Sequence, residues 1–157
     1  MDKMLHKITI SLLMLIICGA NATAQFTLSA EVRPRAEYRH GFKTPLENSQ
    51  EPAFFIEQRS RINAKYISER VDLFISMQDV RIWGAAAQIY KTDPSLQNVY
   101  EAWASYKFNS KNALMLGRMA LDYDNGRFLG DLDWAQQGRS HDLVKYVYKL
   151  NNTTLHV

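Results

Sequence analysis

Six basic side chains, spaced two by two, are the groups in this chain best suited to chemistry. That chemistry is the pairing of anions. Arg33, Arg35 and Arg39 occupy odd positions of one alternating stretch, and Arg59, Arg61 and Lys65 occupy odd positions of the next. A guanidinium presents a planar fork of donors that fits a carboxylate, and rings of Arg and Lys along a pore select anions. Glu31, Glu37 and Glu57 are interleaved with them, so a cross-strand lattice of salt bridges is the structural alternative. The basic groups outnumber these acidic ones six to three, which favours an anion path.

Other chemistry has thinner support. The loop from Asp122 to Arg127 resembles a calcium loop, but an EF-hand wants glycine at its sixth position and Gly126 is fifth. With Asp131 and Asp133 the segment could still bind a hard cation, but an acidic surface or a pore-constricting loop is the stronger reading. His141 and Asp142 are adjacent, so on a strand they point to opposite faces and cannot act as a pair. Ser140 has no evident base beside it, and no spacing marks an acid/base couple. No enzymatic activity, metal or cofactor is expected.

The elements that must hold these residues are strands. From Phe26 to His40 the even positions are Phe26, Leu28, Ala30, Val32, Pro34, Ala36, Tyr38 and His40, and the odd ones are polar or charged. Period two places these on opposite faces of a strand. The run exceeds the roughly 9–11 tilted residues that cross a bilayer. Further strands are expected at 54–67, 71–83, 99–108, 113–121 and 139–149, with a seventh starting at Thr154. A change of parity near Gln78-Asp79 predicts a β-bulge. Tight polar turns at 68–70, 109–112 and 151–152 alternate with long connections at 41–53, 84–98 and 122–138. Short and long connections alternate in this way in outer-membrane barrels. Phe26, Tyr66, Tyr106, Phe108 and Tyr148 would form the periplasmic aromatic girdle, and Tyr38, Phe54 and Tyr100 the outer one. A secreted β-sandwich with a solvated charged face is the soluble alternative.

The N-terminus reads as a targeting segment. Lys3 and Lys7 precede the apolar run 8–17, which is too short to span a membrane, and Ala22-Thr23-Ala24 is a cleavage site. Residues 1–24 are therefore expected to be a signal peptide and 25–157 a partial barrel domain. A lipoprotein signal ending at Cys18 is the rival, disfavoured by Ile17 before it. The sole cysteine is Cys18, so cleavage leaves no disulfide. Removing Lys3, Lys7 and Asp2 leaves 17 basic against 15 acidic residues, a balance that says little about partners, and no nucleic-acid partner is expected.

Several stretches together resemble the alginate-export family of outer-membrane β-barrels. They are Glu31 to Arg39 (EVRPRAEYR), Gln58 to Asn63 (QRSRIN), Met77 to Trp83 (MQDVRIW), Tyr100 to Ala104 (YEAWA), Leu116-Gly-Arg118, Gly126-Arg127 and Trp134 to Asp142 (WAQQGRSHD). The resemblance implies an all-β fold: six to seven N-terminal strands of an antiparallel transmembrane barrel of roughly 18 strands. It implies a monomeric pore in the outer membrane of a Gram-negative bacterium, in contact with its lipid and inserted by barrel-assembly machinery. An anionic carbohydrate or small anionic solute would cross it. By motif, Arg33, Arg35, Arg59, Arg61, Arg81, Arg118 and Arg139 would line the lumen. Met119 departs from the polar residue often found after that Gly-Arg. Seven strands cannot close, since the smallest barrels have eight, so an N-terminal fragment is expected. A general porin of low selectivity and a sugar-binding β-protein are the competing functions.

Overall fold

Period-two alternation sets the architecture. The computed structural model describes residues 25–41, 51–85 and 97–157. Seven antiparallel strands form one sheet in chain order and curl into a half-barrel. They are β1 (Gln25–Arg39), β2 (Ala53–Ile67), β3 (Val71–Ile82), β4 (Gln97–Lys107), β5 (Asn112–Met119), β6 (His141–Leu150) and β7 (Thr153–His156). Among the described residues, the one helical turn is the 3-10 turn Asp124–Gly126. The signal-peptide reading falls on residues 1–24, outside the described residues, as do parts of two long connections.

β1 and β2 are 15 residues each and pair along their full length, from Gln25 opposite Ile67 to Arg39 opposite Ala53. The turns at one end of the sheet are held by their own side chains. Ser68 Oγ donates to Val71 O at 2.8 Å and accepts from Val71 N at 3.0 Å. Asn109 Oδ1 accepts from the backbone N–H of Lys111 and Asn112, both at 2.9 Å. Such local bonds reverse the chain in few residues. In β5 the motif glycine has a steric cause: Gly117 has φ +123°, and a Cβ there would lie 2.2 Å from Ala102 O.

The sheet is polar on its inner face and apolar on its outer face. Arg59, Arg61, Ser76, Gln78 and Ser105 are buried on the inner side. Leu28, Val32, Tyr38, Phe54, Ile62, Leu116 and Val144 are exposed on the other. Covering one large apolar side chain is worth about 1.5–3 kcal/mol. A largely apolar face left in water would forgo that at many positions. An apolar outer face of this kind is the pattern of a membrane β-barrel.

Four expectations need correction. The register shift lies between Ser76 and Met77 on the β3–β4 ladder, not at Gln78-Asp79. Ser76 pairs with Glu101 and Met77 with Val99, so the extra residue is Tyr100 on β4. Tyr100 consequently turns inward and is buried instead of joining the outer girdle. β3 itself keeps register with β2, with Val80 opposite Arg59 and Arg81 opposite Gln58. Arg81 is therefore on the outer face. Finally, β6 begins at His141, which leaves Arg139 in the preceding connection.

Candidate functional site

The β1–β2 ladder sets the spacing of the charged groups. Arg35 lies opposite Glu57 and Glu31 opposite Arg61, whereas Arg33 lies opposite Arg59. Like charges directly opposite each other destabilise a sheet pair. The compensating carboxylate comes from far along the chain.

It comes from the connection between β5 and β6, residues 120–140, which folds back as a strap over the inner face. At one end the strap is tied to β7, where Tyr123 Oη and His156 Nδ1 are 2.6 Å apart. From there it crosses to β1 and β2. Asp133 Oδ1 lies 2.9 Å from Arg59 Nη1 and 3.3 Å from Arg61 Nη1, and Asp133 Oδ2 lies 3.4 Å from Arg33 Nη1. Backbone carbonyls of the strap complete the contact. Arg33 donates to Asp133 O at 2.7 Å and Ala135 O at 3.0 Å, and Arg35 donates to Trp134 O at 2.7 Å.

The remaining partners come from the wall. Arg59 donates twice to Glu31 Oε1, at 2.9 and 2.7 Å. Arg35 Nη2 bridges Glu37 at 2.6 Å and Glu57 at 2.7 Å. Arg39 pairs with Glu37 and stands over the Phe55 ring. The ion pairs thus set five guanidiniums against four carboxylates. The strap also covers the cluster, so that Arg59 is 1% exposed and Arg61 7%.

Arg61 is held by an aromatic ring as well as by hydrogen bonds. Its guanidinium carbon lies 3.6 Å from the Tyr100 ring centroid, and its Nε donates to Gln78 Oε1 at 2.8 Å. The bulge that turns Tyr100 inward creates this stack. Gly138 closes the other side. Its φ is +66°, and a Cβ there would meet Tyr100 Cε2 at 2.8 Å and Arg61 Nη2 at 2.9 Å. Gln78 Nε2 donates to Gln137 O at 2.9 Å, which fastens the strap to β3.

Partial burial pushes the Asp133 carboxyl up, but Arg59, Arg33 and Arg61 outweigh it and hold the group below its ordinary value of 3.8. Asp133 is therefore a carboxylate at neutral pH.

Of the nine basic residues expected from sequence, Arg33, Arg35, Arg39, Arg59, Arg61 and Lys65 share the inner face by register. Lys65 is exposed there. Arg81 and Arg118 point outward, and each pairs with a carboxylate on that face, Asp79 and Asp142 respectively. Arg139 is an exposed strap residue whose N–H donates to Asp131 O at 2.5 Å. Sequence reasoning missed Asp133, Gln136, Tyr100 and Gly138 as parts of this cluster. The acidic loop was its only available sign of Asp133. His141 and Asp142 do fall on opposite faces, opposite Met119 and Arg118. No group of three or more metal-ligating side chains occurs among the described residues.

An antiparallel meander, apolar outside and polar inside, with an inward strap, defines the class as part of a membrane β-barrel. The chain belongs to the alginate export family, whose model matches residues 24–154. This is a transport family, and together with the barrel-like sheet it points to the outer membrane. Nothing matches among curated proteins or solved structures.

Proposed function

We propose that this chain supplies part of the wall of an outer-membrane channel that passes anionic polysaccharide or small anionic solutes. The observation that carries the reading is six basic side chains on the polar inner face of a sheet whose other face is apolar. Lining an aqueous path with Arg and Lys lowers the barrier for anions and raises it for cations. The residues that would act are Arg33, Arg35, Arg39, Arg59, Arg61 and Lys65. Among the described residues the outer edges of β1 and β7 are unpaired, and in lipid such edges need partners. A closed barrel of roughly 18 strands would supply them. The protein would act as a monomer, inserted by barrel-assembly machinery after cleavage near Ala24, in a Gram-negative outer membrane.

A general porin of low selectivity is the second reading. It is favoured by the near balance of five guanidiniums and four carboxylates in the ion-paired cluster. Efflux from proteoliposomes carrying the full-length protein separates the two. Trigalacturonate should leave faster than the neutral maltotriose. Equal rates would reject the anion path.

A further inference from the structure

Three features of the strap contact demand a joint explanation. Three guanidiniums from two strands converge on one carboxylate, Asp133. For Arg33 and Arg61 that carboxylate is the one ion-pair partner found among the described residues. Yet Asp133 itself is not enclosed: its side chain is 52% exposed, and its neighbour Trp134 is 73% exposed. Arg59 and Arg61 are buried and Arg33 is half-buried, while the strap residue that satisfies them faces open space.

We propose that Arg33, Arg59 and Arg61 form a single carboxylate-binding site which Asp133 fills in the absence of substrate, and that a carboxylate of an anionic sugar takes its place. The proposal rests on the anion-path reading above and adds to it a defined site and a competitor.

The chemistry of the contact supports exchange. The strap meets β1 and β2 through charged and carbonyl oxygens, not through a packed apolar core: Asp133 O, Trp134 O, Ala135 O and the Gln136 side chain all accept from Arg33 or Arg35. A uronate offers the same carboxylate fork and hydroxyl acceptors. One set of oxygens can replace the other with no buried charge left unpaired, which is the condition that makes replacement cheap. Arg59 keeps Glu31 throughout, at 2.7 Å, so it stays oriented when Asp133 leaves. Arg61 stays oriented by Gln78 and by the Tyr100 ring. The site is thus held in shape by the wall and occupied by the strap.

An internal competitor lowers the apparent affinity by the fraction of time the site is free. Removing it should therefore strengthen binding of a soluble uronate. The test uses the full-length protein in planar bilayers, with trigalacturonate as the blocking probe and maltotriose as the neutral control. Asp133→Asn should lower the half-blocking concentration of trigalacturonate by about tenfold. Asp133→Glu should stay near the parent. Asp124→Asn removes an equal charge from an exposed strap position without touching the arginines. It should change block by much less. Equal effects of Asp133→Asn and Asp124→Asn would overturn the proposal in favour of general electrostatics. An anion-selective channel whose block is unaltered by Asp133→Asn would overturn it while leaving the anion path intact. A channel without anion preference, unblocked by trigalacturonate in every form, would overturn both.

Discussion

Arg33 and Arg59 are direct partners across the β1–β2 ladder, and the carboxylate of Asp133 reaches both, 74 residues beyond Arg59. A like-charge pair at adjacent cross-strand positions costs stability unless something intervenes. Here the intervening group belongs to a connection, not to the sheet. The wall and the strap are therefore one electrostatic unit, and disturbing either should be felt in the other.

The first expectation concerns pH. A carboxyl held below its ordinary value contributes stability that is present in full above that value and is lost as pH falls through the native one. Strap docking should be constant from neutrality down to about pH 4, then weaken below it. The groups facing Asp133 are Arg33 on β1 and Arg59 and Arg61 on β2, with Asp131 in the strap and Glu31 beside Arg59. Asp133→Asn supplies the control. A spin label at Gln137→Cys should become mobile on acidification in the parent and show a flatter profile in Asp133→Asn. Identical profiles would assign the transition to other carboxyls.

Gly138 gives an independent handle on the strap. Gly138→Ala forces a Cβ against the Tyr100 ring and Arg61, at a backbone φ of +66° that alanine disfavours. Backbone strain of this kind costs about 1–3 kcal/mol. The strap should lift while the sheet remains. Hydrogen exchange at the hydrogen-bonded amides of Ala135 and Arg139 should quicken at least tenfold, roughly 1.4 kcal/mol, with β1 and β2 amides unchanged. Unaltered exchange in the strap would mean that its fit to Arg61 and Tyr100 is loose.

The outer face makes a separate claim. Ile62 is 61% exposed on the apolar side, and its neighbour Asn63 faces inward opposite Ser76. Ile62→Lys should destabilise the folded full-length protein in bilayers by about 2–4 kcal/mol, the cost of a lysine near the midplane. Asn63→Lys should cost less than about 1 kcal/mol, because it meets water. Urea titrations in lipid vesicles read the difference. Equal costs at the two positions would contradict a lipid-facing outer surface.

The strands were legible because alternation is local. Phe26 to His40 predicts a strand at 26–40, and β1 is Gln25–Arg39. What alternation cannot carry is register between strands. The sequence reading placed Tyr100 with Ala102 and Ala104 on one face, since parity alone says so. The bulge that reverses Tyr100 exists only where β4 meets β3, between Ser76 and Met77. The bulge expected near Gln78-Asp79 failed for the related reason that an apolar switch to Val80 and Ile82 looks like a slip. In fact Val80 packs beside Arg59 on the inner side, in unbroken register with β2. Asp133 was visible as one acid in an acidic loop. Its three partners were not, because a contact between residues about 70–100 positions apart leaves no trace in spacing.

The direct test of the central claim is the reversal potential of the full-length channel in planar bilayers under a tenfold potassium chloride gradient. The parent should prefer chloride. Replacing Arg33, Arg59 and Arg61 together by Gln should reduce that preference, while Arg81→Gln and Arg118→Gln, on the outer face, should leave it within error. A cation-preferring parent, or a triple variant with the parent's reversal potential, would contradict the assignment of the inner arginines as an anion path.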